Sequence, residues 1–161
     1  MDEAAGRATL TLAEYQAALG TEMGVSDWLV VDQGMIDRFA DLTGDHQFIH
    51  VDPVRAAGTP LGGTVAHGFL TLSLLGHLGQ QMVKPLAGAA MMLNYGFDRL
   101  RFLAPVRSGR RIRGRLSLLG MEMKGPGQYL VRYGVTVELE GSEKPALAAE
   151  WLVLMVTGPA G

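Results

Sequence analysis

With 161 residues, 48% of them hydrophobic and 19% charged, the chain is long enough to bury a core and is expected to form one domain spanning residues 1–161. A formal net charge of -2 gives no global attraction to nucleic acid or to an anionic membrane surface, so neither is expected as a partner. The chain has no cysteine, which excludes disulfides, thiolate nucleophiles and Cys-ligated zinc and suits a cytoplasmic location.

The opening Met1-Asp2-Glu3 is acidic where a secretory signal would be basic, and no export signal is expected. Thr11 with Glu14 three residues later forms a capping-box pattern, which predicts a short helix over about 12–19 that stops at Gly20. Residues 26–31 have strand character, and Asp32 stands where it would cap a second helix running to about Thr43 and ended by Gly44. In that helix Ile36, Phe39, Ala40 and Leu42 form the side expected to be buried, opposite Asp37, Arg38 and Asp41. Residues 45–66 carry Pro53, Gly58, Pro60, Gly62 and Gly63, so a long loop with a turn of helix after Pro53 is expected, a length often tied to function.

From His67 to about Met82 the chain is apolar almost all round, as in a central core helix, yet His67, Gly68, Thr71, Ser73, Gly76 and His77 deny it the run of ~20 apolar residues that a membrane span needs. After Pro85 the period changes to two. Tyr129, Val131, Tyr133, Val135, Val137 and Leu139 alternate with polar residues, and similar runs cover about 90–104, 110–123 and 145–157. Turn sequences at 107–109, 125–127 and 141–143 separate these runs, so the four strands are expected to form an antiparallel meander that curves round the helix, an α+β architecture.

Two segments carry chemistry. Thr43-Gly44-Asp45-His46-Gln47-Phe48-Ile49-His50-Val51-Asp52 sets a carboxylate and an imidazole five residues apart just past a helix end, where they either converge or serve as a turn cap and a satisfied polar residue. In Ala66-His67-Gly68-Phe69 a glycine falls in the first turn of the buried helix. Its amide either meets a developing oxyanion or its lack of a side chain merely permits tight packing. The four histidines show no His-Glu-x-x-His pattern, and neither Gly-x-Ser-x-Gly nor Gly-x-Gly-x-x-Gly before a helix occurs, so metal, serine hydrolase and dinucleotide sites are not expected. Arg99, Arg101, Arg107, Arg110, Arg111, Arg113 and Arg115 form a basic run that is either a solvated sheet face or, in part, a contact for phosphates. Met82, Met91, Met92, Met121 and Met123 are core packing or the lining of an adaptable acyl pocket.

Together the two segments resemble the MaoC-like dehydratase family, the (R)-specific enoyl-CoA hydratases, and more closely its branch that includes the nodulation protein NodN. Members carry a pattern like Thr-Gly-Asp-x-Asn-Pro-Ile-His-x-Asp; Thr43, Gly44, Asp45, Ile49, His50 and Asp52 match it, and Gln47 and Phe48 depart. The resemblance continues through Ala66-His67-Gly68, Asn94-Tyr95-Gly96 and Arg101-Phe102-Leu103-Ala104-Pro105-Val106.

The resemblance implies a hot-dog fold and cofactor-free, reversible hydration of a trans-2-enoyl thioester to the (R)-3-hydroxyacyl thioester. Asp45 and His50 would hold the water, and the Gly68 amide would meet the thioester oxygen. Gln47, His67, Asn94, Tyr95 and Arg101 are the substrate-binding candidates. The implied partners are an acyl-CoA or acyl-carrier-protein thioester and a second copy of the chain, as a homodimer. A hot-dog thioesterase and a non-catalytic acyl-thioester-binding accessory protein are the alternatives.

Overall fold

The structure is a computed structural model and describes residues 8–158. Helix α1 (Leu12–Ala17) starts at the expected capping box, the Thr11 hydroxyl accepting from the Glu14 amide while the Glu14 carboxylate accepts from the Thr11 amide. The strand expected over 26–31 is shortened to β2 (Leu29–Val31), and a further strand that was not expected, β1 (Glu22–Val25), precedes it. Between them the Ser26 hydroxyl accepts from the Gly114 amide, so a side chain takes a place in the ladder and the strand breaks there. Helix α2 (Gln33–Thr43) is capped by the Asp32 carboxylate on the Met35 amide at 2.7 Å and ends at Gly44, whose φ of 76° suits glycine. Ile36 and Ala40 are buried, but Leu42 is 83% exposed because it lies in the last turn, past the edge of the core.

The long loop contains two single-turn helices, α3 (Phe48–Val51) and α4 (Pro53–Ala57), the second capped by Asp52 on the Arg55 amide. The central helix is bent at Leu74 into α5 (Gly68–Ser73) and α6 (Leu75–Met82). The Ser73 hydroxyl donates back to the Phe69 carbonyl at 2.7 Å, a bond that bends a helix just where the break falls. None of the helices among the described residues is long and apolar enough to cross a membrane.

Strands β3 (Ala89–Phe102), β4 (Arg110–Gly125), β5 (Gln128–Leu139) and β6 (Leu147–Thr157) lie close to the expected runs, but their order corrects the simple meander. The sheet reads β1-β4-β5-β6-β3, with β2 also on β4 and every pairing antiparallel. Thus β3 pairs with the last strand and not with β4, whose free edge β1 and β2 occupy. The Leu103 amide bonds to the Ala146 carbonyl and the Ala66 amide to the Val106 carbonyl, so residues 103–109 cross the end of the sheet instead of folding into a hairpin. That crossing runs beside the start of α5.

The sheet curves round α6, whose Leu75, Leu78 and Met82 are buried against Ile112, Leu116, Tyr133, Val135 and Leu147. The helix comes close enough that a Cβ on Gly114 would stand 2.5 Å from the Met82 Cε. This is the curved α+β architecture expected from the sequence.

Candidate active site

Three elements converge at the amino end of α5. The stop at Gly44 releases Asp45 from α2, and the Asp45 carboxylate accepts from the Gln47 amide at 3.3 Å while staying exposed. His50 lies inside the single turn of α3 that follows. There the Val65 amide donates to the Ile49 carbonyl at 3.0 Å, and the His50 Nδ1–H donates to the Val65 carbonyl at 2.6 Å. Residues 64–66 are themselves bonded to the 106–108 crossing, so the loop that carries His50 is tied to the end of the sheet. Buried His67, immediately before α5, donates through Nε2–H to the Asp45 carbonyl at 2.9 Å, and its ring stacks on that of His50 with centroids 3.7 Å apart.

One potential ligand atom from each of Asp45, His50 and His67 lies within 4.8 Å of the others. A backbone carbonyl only accepts, so the two carbonyl contacts fix the neutral tautomers: His50 keeps a bare Nε2 and His67 a bare Nδ1. The imidazole rings are stacked with centroids 3.7 Å apart and planes 23° from parallel, so a cation ~2.0 Å from a nitrogen of each would lie well out of at least one ring plane, away from that nitrogen's lone pair. The arrangement is suited to holding hydrogen-bond donors, as a water has.

Gly68 opens α5, so its amide has no carbonyl one turn back to bond. A Cβ there would fall 3.0 Å from the Phe102 ring, which gives the packing explanation of this glycine a definite partner. Beside it lies a cavity of about 220 Å³ lined by Gly68, Thr71, Phe102, Leu103 and Val106 among others.

The other sequence candidates are dispersed. Gln47 is exposed next to the cluster. Asn94 accepts from the Trp151 Nε1–H at 3.1 Å and lines a groove with Gly76 and Gly79, Tyr95 is 62% exposed, and the Arg101 guanidinium rests on the Leu100 carbonyl. These three lie on β3 and do not join Asp45, His50 and His67 within the chain. His46 turns outward to Asp41, whose carboxylate holds the imidazole above its ordinary pKa. Phe48, which stands where the family pattern has proline, packs under the Arg55 guanidinium at 4.3 Å.

The basic run is divided. Arg111 pairs with Glu140, Arg113 and Arg115 share Glu138, and Arg99 pairs with Glu150, all on the outer face of the sheet. Hydrogen bonds from Arg115 and Arg113 keep the Glu138 carboxyl below its usual range. Arg107 and Arg110 instead line an open cleft with Pro105 and Ser108, the Arg107 guanidinium lying against Gly62.

Sequence reasoning overlooked Gln33. Its Nε2 donates to the His50 carbonyl at 2.7 Å and to the Asp37 carboxylate at 2.8 Å, and its Oε1 accepts from the buried Thr64 hydroxyl. A polar residue in the first turn of a helix gives no sign in the sequence that it will bridge to a loop 17 residues on. Gln33→Leu leaves the Thr64 hydroxyl and the His50 carbonyl without this partner and is expected to cost about 1–3 kcal/mol. Urea unfolding monitored by circular dichroism measures the loss.

The family model for the MaoC like domain matches residues 14–139. The chain is 48% identical to nodulation protein N of Rhizobium leguminosarum bv. viciae over 93% of its length and 94% of that protein's. It is equally 48% identical to 3-hydroxyacyl-thioester dehydratase Z of Mycobacterium tuberculosis, over 91% and 96% of the two chains. Among solved structures, the monoamine oxidase regulatory protein of Archaeoglobus fulgius superimposes with a TM-score of 0.73 at 25% identity, covering 88% of this chain and 92% of that one. The R-hydratase PhaJ1 of Pseudomonas aeruginosa shares the fold, with a TM-score of 0.70 at 23% identity over 87% and 83%.

Proposed function

The chain belongs to the MaoC-like dehydratase family, and on that premise we propose that it adds water reversibly across the double bond of a trans-2-enoyl thioester to give the (R)-3-hydroxyacyl thioester. The observation that supports this reading is the grouping of the Asp45 carboxylate and the His50 imidazole within 4.8 Å, together with His67, the residue before Gly68 at the start of α5. A water held between Asp45 and His50 loses one proton to the pair as its oxygen bonds to C3, and the pair returns a proton to C2. Charge gathered on the thioester oxygen is met by the Gly68 amide, a contact that strengthens as the barrier is crossed. No step calls for a cofactor.

Arg107 and Arg110 are the arginines of the basic run best placed to meet the phosphates of coenzyme A or of a carrier-protein arm, because they flank an open cleft on the crossing that also holds residues 64–66. The homodimer is also part of the proposal. Strand β3 forms one edge of the sheet and exposes Met91, Met92, Leu93, Tyr95 and Phe102, an apolar edge that a single chain leaves open. Sedimentation equilibrium is expected to give twice the chain mass of 17.2 kDa, and Leu93→Lys is expected to shift the distribution toward monomer.

The relatives called nodulation protein N, as similar as the dehydratase, favour a second reading as a thioester-binding accessory protein. Incubation with crotonyl-CoA distinguishes the cases. Hydration removes the enoyl absorbance without freeing thiol, hydrolysis by a thioesterase releases thiol, and a binding protein does neither.

A further inference from the structure

We infer that His67 is a positioning residue that holds both reacting groups, Asp45 through its peptide and His50 through its ring plane; this rests on the hydration reading. The residue is 3% exposed, and its ring is fixed on three sides. Its Nε2–H grips the Asp45 carbonyl at 2.9 Å, the His50 ring stacks on one face at 3.7 Å, and Phe39 from α2 lies 5.1 Å away at 52°.

Its own hydrogen bonding does not explain this placement. A buried histidine in a purely structural role ordinarily has partners for its polar atoms, whereas the Nδ1 here is buried with none among the described residues. The ring therefore carries an unsatisfied acceptor in order to present Nε2–H to Asp45 and a flat face to His50. Among the described residues the exposed Asp45 carboxylate has one hydrogen-bond contact of its own, from the amide of Gln47 two residues on. His50 is anchored at Nδ1 by Val65, but that one bond leaves the ring free to rotate about its own axis, and the stack removes this freedom. The bare His50 Nε2 and the Asp45 carboxylate are thereby kept at a fixed separation, which is what converging on one water demands.

Two substitutions in the full-length protein separate the roles. His67→Phe keeps a flat ring for the stack and removes both the donor to Asp45 and the orphaned acceptor. His67→Gln keeps an N–H within reach of Asp45 and loses the stack. With crotonyl-CoA, His67→Phe is expected to lower kcat by about 30- to 100-fold with KM changed less than about threefold, and with a thermal midpoint at or above the wild type. His67→Gln, which keeps the Asp45 contact and loses the stack, is expected to lower kcat by about fivefold or more below wild type, so that each contact is read separately.

The inference is overturned by a kcat for His67→Phe within about threefold of wild type, or by one that falls only in step with the thermal midpoint. Imidazole 15N spectra provide a readout that needs no turnover. The wild type is expected to show His67 protonated at Nε2 and His50 at Nδ1, and His67→Gln to broaden the His50 signals through exchange between ring orientations that the stack now excludes. Unchanged His50 signals in that variant also overturn the inference. If the spectra come out as expected while the wild type hydrates nothing, the hydration reading fails alone and the positioning role stands.

Discussion

Asp45→Asn is expected to lower kcat for crotonyl-CoA hydration by about 10²- to 10⁴-fold, the range over which a positioned acid or base contributes. The substitution is isosteric, and the asparagine oxygen can still accept from the Gln47 amide that now bonds the carboxylate at 3.3 Å. The backbone carbonyl that His67 grips is untouched. Asp45 is exposed, so the thermal midpoint should correspond to a change within about 0.5 kcal/mol. KM should move little, because what is lost is proton transfer and not uniform binding.

His50→Asn is the matched experiment at the other group. An asparagine amide can reach the Val65 carbonyl that His50 Nδ1–H occupies at 2.6 Å, but nothing then stands where Nε2 was. Activity should again fall by about two orders of magnitude or more, and the double variant should be little worse than either single one if the two act on one water. Retention of wild-type kcat in either variant would move the water to some other base and remove the basis of the hydration reading.

The elements of the fold were legible because each left a local mark. The Thr11–Glu14 cap, the Asp32 cap and the Gly44 stop are short-range hydrogen-bonding devices, and the period-two runs place β3 to β6 within a few residues. The position of β3 beside β6 was not legible, since it is set by contacts remote in sequence: the Ala146 carbonyl taking the Leu103 amide, and β1 and β2 filling the edge of β4. Strand period says that a segment is a strand, not which neighbour it selects.

The site divides along the same line. Asp45, His50 and His67 sit in segments whose residue types stand out, and the structure brings the three together. The partners that hold them are harder to see. The Val65 carbonyl is backbone, which any residue at that position would supply, and Gln33 and Phe39 read as ordinary members of an amphipathic helix. Asn94, Tyr95 and Arg101 stand out in the sequence too, yet they lie along an exposed edge strand, where a single chain gives them no part in the cluster.

A pair of glycines on α6 should respond in opposite directions to the same substitution. Replacing glycine with alanine inside a helix stabilises by about 0.5–1 kcal/mol, because less backbone freedom is lost on folding. Around Gly76 a Cβ would meet nothing within 4 Å, so Gly76→Ala is expected to raise the thermal midpoint. At Gly79 the same methyl would lie 2.7 Å from Cη2 and 3.1 Å from Cζ3 of Trp151.

That indole has little room to retreat. It stacks on Phe97 with centroids 6.0 Å apart, tilts against Tyr133 at 6.5 Å, and its Nε1–H is committed to Asn94. Overpacking of this kind costs about 1–3 kcal/mol, more than the helix gains. Gly79→Ala is therefore expected to lower the thermal midpoint by about 2–6 °C for a chain of this size. Adding Trp151→Phe should recover part of the loss, a non-additivity that assigns the strain to this contact and not to the helix as a whole. Equal stabilisation by both alanines would mean that the helix stands farther from the sheet at Gly79 than a 2.7 Å approach requires.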